Sequence, residues 1–428
     1  MHYIKSLLKK LVGQRIAAGL QLYWEILQSC LYRSCSLVLT DDNELNLHTR
    51  VFDDSNHQVF FGYYDISPFS ADESLLLAMH VSTKSKVSDH KNLAKIGFYN
   101  LNEETPFFNK IDSTMTWCWQ QGCRLQWYPA NSTRTVLFNT LIGDHYGCIV
   151  KDINHKAVIK QIPRPIYAVS KDGKWGLSIN FSRLQRLRPG YGYDVLHDDT
   201  YGDISPINDG IWLIDMSTGI DRLLFSINEI ANYQRVSSME GAEHYFNHLL
   251  FNYSASRFLF VHLWIKEGKR FSRLLTVDYN GSNIYVVNNE GHSSHYTWKS
   301  DTQLLVYATH QLTGLHYYLY EDMTQKRQII GKNKLVQDGH PVFLPNSDAI
   351  ITDTYPDKCR NQSLLFYDIK KSELKKLGKF YIPSRFSGEI RCDLHPRLSP
   401  SGSYLCIDNI HQGKRVMTII DLRPLREV

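Results

Sequence analysis

The 428-residue sequence lacks several patterns that would assign a function directly. Its eight cysteines, at positions 30, 35, 118, 123, 148, 359, 392 and 406, form neither a dense framework nor a C-x-x-C pair. We therefore expect buried or free thiols in a reducing, cytoplasmic compartment. The sequence also contains no Gly-rich phosphate loop, no dinucleotide fingerprint and no G-x-S-x-G motif, and the last absence argues against an α/β-hydrolase.

A strong excess of charge of one sign is also missing. The formal net charge is +5, and charged residues make up 21% of the chain. This balance slightly favours acidic small molecules or anionic polymers, and we expect no nucleic-acid partner. Hydrophobic residues reach 43%, which allows a large core, and aromatic residues reach 12%, with 26 Tyr. Tyr and Phe suit β-strands and the walls of sugar-binding clefts.

The first 40 residues lack an uninterrupted run of about 18 apolar residues, because Arg15, Gln21 and Glu25 interrupt it. They also show no clean signal-peptide cleavage site. Apolar residues recur here at helical spacing beside several basic residues. We expect residues 1–40 to form an amphipathic helix. It either packs on the domain or makes a peripheral contact with a membrane surface.

A repeat organises the remainder of the chain. Four histidines open similar phrases: His248 in HLLFNYSASRFLFVH, His295 in HYTWKSDTQLLVYAT, His340 in HPVFLPNSDAIITDT and His395 in HPRLSPSGSYLCIDN. Each histidine is followed by an apolar residue three positions later, a turn rich in Ser, Pro, Asn, Asp or Gly, and an apolar strand. The histidines are 47, 45 and 55 residues apart. Units of this length with several short strands are typical of β-propeller blades.

Three earlier units with the same pattern begin near Tyr63, Arg124 and Ile166. Each of the seven units contains a later strand: IGFYNL, CIVKDI, IWLIDM, LLTVDY, HYYLYE, LLFYDI and VMTIIDL. We predict an all-β fold, a seven-bladed β-propeller over residues 45–428, preceded by the short N-terminal helical segment. The last blade has room for only three strands, so a segment within 45–61, such as Gln58 to Gly62, should supply the fourth. An irregular sandwich array explains the regular spacing less well.

The four histidines are expected to converge on the central channel. In a propeller, the blade openings and the loops between second and third strands lie on one face. Neutral imidazoles that converge without nearby carboxylates suit Zn or Mn, and Cys392 could add a thiolate. The predicted metal ligands are therefore His248, His295, His340, His395 and Cys392. The alternative is a purely structural role, with each histidine bonded to a neighbouring strand.

A long loop over residues 181–208 carries a second group of candidates: Arg183, Arg186, Arg188, Tyr191 and Tyr193. A loop of this length within a compact fold is usually functional or disordered. Arginine presents a planar fork to carboxylates, sulfates or phosphates, and tyrosine can stack on sugars and exchange a proton. A solvated basic loop is the alternative.

Six motifs carry a family resemblance: WQQGCRLQWYP, RLRPGYGY, HYFNHLLFN, EGHSSHYTW, DGHPVF and RCDLHPRLSPSG. With them the chain resembles the seven-bladed propeller polysaccharide lyases of the oligogalacturonate-lyase and ulvan-lyase types. Related propellers are encoded among bacterial surface-polysaccharide genes. The resemblance spans residues of about 60–425. It implies a metal held by channel histidines and a His, Tyr or Arg that removes the C5 proton of a uronate.

The expected partner is thus an acidic, uronate-containing oligosaccharide or polysaccharide. The candidate substrate contacts are Arg124, Arg183, Arg186, Arg188 and Trp264, and the candidate acid–base groups are His145, Tyr191, Tyr193 and His248. Two other classes of protein stay open. One is a glycoside hydrolase that uses paired carboxylates, with candidates Asp65, Asp144, Asp338 and Glu389. The other is a non-catalytic propeller that binds glycans or proteins.

Overall fold

The computed structural model describes residues 47–82 and 92–426, which form a ring of seven antiparallel sheets of four strands each. The strands in chain order are β1 (Thr49–Phe52), β2 (His57–Phe60), β3 (Leu75–Ser82), β4 (Ala94–Asn100), β5 (Asn109–Thr114), β6 (Gln126–Trp127), β7 (Thr135–Ile142), β8 (His145–Asp152), β9 (Val158–Ile162), β10 (Ala168–Val169), β11 (Trp175–Ser178), β12 (Gly210–Asp215), β13 (Asp221–Ser226), β14 (Glu243–Phe251), β15 (Arg257–Lys266), β16 (Lys269–Asp278), β17 (Tyr285–Asn288), β18 (Ser293–Trp298), β19 (Gln303–His310), β20 (Gly314–Glu321), β21 (Arg327–Ile330), β22 (Val342–Phe343), β23 (Ala349–Asp353), β24 (Asn361–Asp368), β25 (Glu373–Tyr381), β26 (Arg397–Leu398), β27 (Tyr404–His411) and β28 (Lys414–Asp421).

Blade 1 consists of β2 to β5, blade 2 of β6 to β9, and the pattern continues to blade 6, which consists of β22 to β25. Blade 7 consists of β26, β27, β28 and β1. The described helices are short: α1 (Phe181–Leu187), α2 (Ile227–Asn232), α3 (Arg423–Arg426) and three 3-10 turns at Pro129–Asn131, Ser237–Met239 and Gly388–Ile390. The predicted all-β, seven-bladed propeller is therefore confirmed.

The later strands recognised in the sequence are the third strands of the seven blades. The aspartate that recurs at their ends has a local cause. The Asp152 Oδ1 accepts a hydrogen bond from the Asn154 backbone N–H at 2.8 Å, and the Asp215 Oδ1 accepts one from the Ser217 N–H at 2.7 Å. Such side-chain caps reverse the chain within a few residues, so that the fourth strand can pair with the third.

The earliest described strand closes the ring. β1 pairs with β28 over Thr49↔Ile420 to Phe52↔Met417 and completes blade 7. This strand lies within the predicted range 45–61, but the assignment of Gln58 to Gly62 was wrong, because Gln58 lies in β2, the first strand of blade 1. The cause is a tight turn at Asp54, whose Oδ1 accepts hydrogen bonds from the N–H groups of Asn56 and His57. Two blades therefore draw strands from one short segment.

The predicted helix over residues 1–40 lies outside the described residues, and so does the membrane contact expected of it. Searching the described part of the chain reveals no helix with the length and apolar character needed to cross a membrane.

One long insertion shapes the face on which the blade openings lie. It joins β11 to β12, contains α1, and crosses towards the blade 2 and blade 7 openings. There the Gly190 carbonyl accepts a hydrogen bond from the Gln120 N–H at 3.1 Å, and the Gln120 Nε2 donates to the Glu389 carbonyl at 3.1 Å. The insertion therefore brings residues 188–193 close to the channel.

Candidate metal centre in the central channel

The structure brings the four repeat histidines together around Tyr63. The ring centroids of His295 and His340 are 4.1 Å apart, those of His340 and His395 are 4.4 Å apart, and those of His248 and His295 are 6.4 Å apart. The Tyr63 ring stacks on His248 at 5.1 Å and lies 4.9 Å from His395. All five side chains are buried.

Backbone geometry at the blade openings helps to aim these side chains. His248 and His395 have positive φ angles of 62° and 45°, and Arg124 at the blade 2 opening has a φ of 55°. The left-handed region is uncommon outside glycine, although histidine is enriched there. In blade 4 the pairing register also shifts between Asn247 and Leu250, where a bulge re-aims the chain. The repeated phrase thus encodes a local backbone irregularity as well as a side chain.

Two of the histidines form a group with Asp393 that could hold a divalent cation. One ligand atom from each of His340, Asp393 and His395 lies within 4.8 Å of the others. The Nδ1 of His340 lies 2.8 Å from a carboxylate oxygen of Asp353, and the Nδ1 of His395 lies 2.8 Å from the Gly62 carbonyl oxygen. These oxygens can only accept, so both Nδ1 atoms carry the proton and both Nε2 atoms keep a lone pair.

The remaining ligand atoms of this group have no competing partner. The Nε2 atoms of His340 and His395 and the Oδ1 of Asp393 are buried and make no hydrogen bond within the described residues. Three buried atoms with unused lone pairs are costly unless a cation or a ligand satisfies them. A pair of imidazoles with one carboxylate is a donor set suited to Zn or Mn.

His295 and His248 stand at the edge of this group. The Nδ1 of His295 lies 3.0 Å from the Oδ1 of Asp338, which again leaves a lone pair on Nε2. Burial, followed by repulsion from His340, lowers the pKa of His295 despite the opposing effect of Asp338, so this imidazole is neutral at neutral pH. The Nε2 of His248 instead lies 3.2 Å from the Asn247 side-chain amide nitrogen, and its Nδ1 has no partner among the described residues.

Cys392 does not join this group, whose third member is the neighbouring Asp393. Burial raises the pKa of the Cys392 thiol to about 12, which disfavours the thiolate needed for metal binding.

The channel also contains more negative charge than the sequence suggested. Carboxylates of Asp338, Asp353 and Asp393 surround the histidines, although the histidine repeat predicted imidazoles without nearby carboxylates. Burial alone would lower the pKa of His340, but the Asp353 carboxylate outweighs it and raises that pKa. For Asp393 burial is opposed by the nearby Arg391 and His340, and the pKa of this carboxyl is lowered. The lowered pKa of Asp393 favours the carboxylate that binds a cation, whereas the raised pKa of His340 favours a proton that a bound cation would have to displace.

In a second cluster, one ligand atom from each of Asp54, His57 and His80 also lies within 4.8 Å of the others. The hydrogen bonds of His57 leave neither of its ring nitrogens free to bind a metal ion. The Lys95 ammonium can only donate, and it lies 2.9 Å from the Nε2 of His57. The proton of this imidazole is therefore on Nδ1, which donates to the Asp54 carboxylate at 2.8 Å. We interpret this cluster as a hydrogen-bonded network rather than a metal site.

Two cations border the channel group. The Arg391 Nε donates to the Asp393 Oδ2 at 2.7 Å, and its Nη2 donates to the Tyr191 hydroxyl at 2.5 Å. The Arg188 guanidinium lies 4.1 Å from the centroid of the Tyr191 ring and makes no hydrogen bond or ion pair within the described residues. Arg188 is thus available to bind an anion beside the channel.

The other predicted arginines are occupied elsewhere. Arg183 donates to the His244 carbonyl at 2.8 Å and to the Thr200 hydroxyl at 2.8 Å. Arg186 forms an ion pair of 2.8 Å with Asp198 and one of 2.7 Å with Glu243. These contacts hold the insertion onto blade 4, because the partners of both arginines lie in the insertion or in β14.

Three further candidates also lie away from the channel group. Trp264 lies in strand β15, and its Nε1 donates to the Ser238 hydroxyl at 3.2 Å. The Tyr193 ring stacks on Phe181 at 4.4 Å, and its hydroxyl accepts a hydrogen bond from Asn139 at 2.9 Å. His145 begins strand β8 with its side chain 48% exposed. Of the four acid–base candidates, the structure therefore brings only Tyr191 and His248 to the channel.

Arg124 forms a buried ion pair instead of facing a substrate. Its Nη1 and Nη2 donate to the two carboxylate oxygens of Asp65 at 3.1 and 2.9 Å, and its Nε donates to the Tyr167 carbonyl at 2.8 Å. Replacing Arg124 with methionine should lower the free energy of unfolding by about 3–5 kcal/mol, because Asp65 would stay buried without its partner. Denaturant unfolding at constant m-value measures this change. A loss below about 1 kcal/mol would contradict a structural role for the pair.

Sequence reasoning missed three residues of the centre: Tyr63, Arg391 and Asp393. Tyr63 was recognised only as a blade opening, yet its hydroxyl is buried without a partner among the described residues. Asp393 and His395 form a D-x-H pattern in the sequence. A carboxylate two residues before a predicted histidine ligand is a signal that could have identified Asp393 as a further candidate ligand.

The fold and the site define a seven-bladed propeller with a buried histidine–carboxylate group in its channel. A solved structure of an oligogalacturonate lyase in complex with manganese has a TM-score of 0.58 and 12% identity, with 88% of this chain and 96% of that chain covered. An oligogalacturonate lyase from Vibrio parahaemolyticus has a TM-score of 0.57 and 13% identity, with 88% and 97% covered. At these identities the similarity shows a shared fold. No protein-family model and no curated protein matches the sequence.

Proposed function

We propose that this protein is a metal-assisted lyase that cleaves a uronate-containing acidic oligosaccharide or polysaccharide by β-elimination. The observation that carries the proposal is the buried group of His340, Asp393 and His395, each of which has one ligand atom without a hydrogen-bond partner in the described part of the chain. Zn or Mn is the proposed cation, and the manganese in the solved oligogalacturonate lyase supports Mn. When bound, the cation would neutralise a uronate carboxylate and so increase the acidity of the C5 proton.

The charges beside the group support an anionic substrate. The Arg188 side chain makes no hydrogen bond or ion pair within the described residues, and it lies against the same tyrosine ring that Arg391 approaches to 5.6 Å. The planar fork of Arg188 can bind a uronate carboxylate, while Arg391, which is bonded to Asp393 and Tyr191, adds positive charge beside it. The Arg391 side chain is 30% exposed, so this edge of the channel is open to a ligand.

The elimination requires one group that takes a proton and one that gives a proton. His295 is the proposed general base for the C5 proton, because its Nδ1–H donates a hydrogen bond to Asp338 and its Nε2 keeps a lone pair. The C–H electron pair then forms the C4=C5 double bond, and the C4–O bond breaks with its electrons on the leaving oxygen. Tyr191 is suited to protonate that oxygen, because its hydroxyl accepts from Arg391 and keeps its own hydrogen to donate.

The glycoside hydrolase alternative finds less support among the carboxylates named for it. Asp65 is paired with Arg124, and Asp338 is hydrogen-bonded to His295 and to the Ser294 hydroxyl at 2.6 Å. Asp144 is fully exposed on the outer part of blade 2. The fourth candidate, Glu389, accepts a hydrogen bond from the Gln185 Nε2 at 3.5 Å. A hydrolase needs two carboxyl groups free to flank the scissile bond, and Asp65 and Asp338 are both engaged with other side chains.

A panel of uronate oligosaccharides and polysaccharides, assayed for ultraviolet absorbance with and without a chelator, tests the proposal. We expect a chelator-sensitive increase in absorbance on at least one substrate, since elimination alone creates an unsaturated uronate. Cleavage without an unsaturated product would assign a hydrolase. Binding without turnover, unaffected by the chelator, would assign a non-catalytic glycan-binding propeller.

Substituting Arg188 with lysine tests the carboxylate contact. Lysine keeps the charge but loses the fork, so we expect KM to increase about 10-fold, which is the loss of one charge-assisted hydrogen bond. The matched control is Arg222→Lys, because Arg222 contacts the Asn280 carbonyl at the surface of blade 3. Equal KM values for wild type and Arg188→Lys would exclude a bidentate contact.

A further inference from the structure

Amide and phenol side chains form a hydrogen-bond network next to His248. The Tyr167 hydroxyl accepts hydrogen bonds from the His248 backbone N–H at 3.0 Å and from the Gln121 Nε2 at 2.8 Å, and it donates to the Asn247 Oδ1 at 3.0 Å. The Gln121 Nε2 also donates to the Asn247 Oδ1 at 3.1 Å. All four residues are buried. Because the Asn247 oxygen already accepts two hydrogen bonds, its amide nitrogen is the atom next to His248.

The orientation of the Asn247 amide determines where the His248 proton sits. An amide nitrogen can only donate, so the Nε2 of His248, 3.2 Å away, must accept. A neutral imidazole then carries its proton on Nδ1, the atom that is buried without a partner within the described residues. The opposite orientation would require both side-chain amides, of Gln121 and Asn247, to rotate by 180°. The two N–H groups of Gln121 would then be buried without an acceptor, whereas the present orientation leaves only the Gln121 carbonyl oxygen unpaired. The rotated arrangement is the costlier one.

His248 therefore differs chemically from the other channel histidines. His340 and His395 each direct an Nδ1–H to an oxygen and keep a lone pair on the free nitrogen. At His248 the free nitrogen is the protonated one. A protonated nitrogen cannot coordinate a cation, but it can donate a hydrogen bond to an anion.

We infer that Gln121, Tyr167 and Asn247 are positioning residues that hold His248 as the Nδ1–H tautomer, so that His248 is excluded from the metal ligands and donates a hydrogen bond to the substrate. This inference rests on the proposed lyase function for the identity of the substrate. A neutral N–H donor stabilises negative charge that develops on a uronate oxygen during proton removal, in the manner of an oxyanion hole. His248 thereby acts without gaining or losing a proton, unlike the acid–base role expected from the sequence.

The tautomer is directly observable by nitrogen NMR of protein labelled with 15N-histidine. The His248 signals are assigned by their loss in His248→Gln. In the wild-type protein we expect a protonated, pyrrole-type Nδ1 and an unprotonated, pyridine-type Nε2 at His248. His340 and His395 should show the same tautomer, but with the Nδ1–H hydrogen-bonded to an oxygen and Nε2 free. A pyridine-type Nδ1 at wild-type His248, or an imidazolium at neutral pH, would overturn the inference.

Asn247→Asp tests the positioning role. A carboxylate only accepts, so His248 must donate from Nε2, while the second carboxylate oxygen still receives Gln121 and Tyr167. We expect the His248 tautomer to reverse, with His340 and His395 unchanged as internal references. The matched control is Asn288→Asp, a buried amide of blade 4 that bonds the Thr309 carbonyl and no histidine. If folded Asn247→Asp keeps the wild-type His248 tautomer, Asn247 does not position His248. If Asn247→Asp does not fold, Tyr167→Phe replaces it. A His248 signal that is unchanged in Tyr167→Phe would show that this hydrogen-bond network does not position His248.

Zinc loading separates this inference from the proposed function. We expect zinc to shift the Nε2 signals of His340 and His395 and to leave both His248 nitrogens in their tautomeric state. An Nδ1 of His248 that loses its proton on zinc loading would overturn the inference. Unchanged signals of His340 and His395 would reject the metal site, while the wild-type tautomer result stands independently. On a uronate substrate that the wild-type protein cleaves, Asn247→Asp should lower kcat about 10²-fold, which is the effect of losing one oxyanion-hole donor.

Discussion

Substitution of His340 with alanine should remove the bound metal ion and lower lyase turnover about 10³-fold. The alanine deletes one of three ligand atoms and leaves the Asp353 carboxylate, which now contacts the His340 ring, without that partner. Charge neutralisation by a metal contributes several kcal/mol to such a reaction, and about 1.4 kcal/mol corresponds to a factor of 10. Elemental analysis of the purified protein and the ultraviolet assay measure the two effects.

The control for this experiment is His155→Ala, because His155 lies on blade 2 with its side chain 70% exposed. We expect one equivalent of metal in the wild type and in the control, and a fraction of an equivalent in His340→Ala. A His295→Ala plus His340→Ala double variant should lose the metal as well. Unchanged stoichiometry in the double variant would refute the assignment of the metal to the channel histidines.

Substitution of Tyr191 with phenylalanine should lower kcat by about 10²–10⁴-fold with a smaller change in KM. The variant removes only the hydroxyl that would protonate the leaving oxygen, and loss of a proton-transfer group has an effect of this size. The ring, which Arg188 contacts, stays in place, so binding is largely preserved. Steady-state kinetics on a uronate substrate separate the two parameters.

Tyr193→Phe is a matched comparison for Tyr191→Phe, two residues along the same insertion. Its hydroxyl bonds Asn139 and does not reach the channel group. We expect its kcat to stay within about 3-fold of the wild type, because a buried neutral hydrogen bond contributes about 1 kcal/mol to stability rather than to catalysis. Equal losses in the two variants would show that the Tyr191 effect is structural.

The blade count followed from local signals, because every blade repeats the same short-range chemistry. A polar turn after the first strand and an aspartate at the end of the third can be recognised in isolation, as at Asp152 and Asp215. The closing strand could not be located in the same way. β1 and β2 are separated only by the Asp54 turn, and which one pairs with β28 depends on the geometry of the closed ring.

Residue types in the site were easier to predict than residue roles. Tertiary packing places Asp393, and not Cys392, beside the histidines, although both were visible in the motif. The arginines of the insertion looked equivalent in sequence. Only the tertiary structure separates them: Glu243 pairs with Arg186, whereas Arg188 lies on the Tyr191 ring and has no ion-pair partner within the described residues. Charge alone therefore did not distinguish an anion-binding arginine from a structural one.

By itself, the sequence determined the seven-bladed architecture and the gathering of four histidines in one channel, since both follow from a repeat whose period and turn chemistry are local. Tertiary structure alone decided what each histidine can do. The proton of His340 is placed by Asp353, that of His395 by Gly62 from the first blade, and that of His248 by Asn247. An imidazole is a ligand or a donor according to which of its nitrogens is already engaged. Gly62 comes from another blade and Asp353 from a neighbouring strand, while Asn247, next to His248 in β14, is oriented by the distant Gln121 and Tyr167.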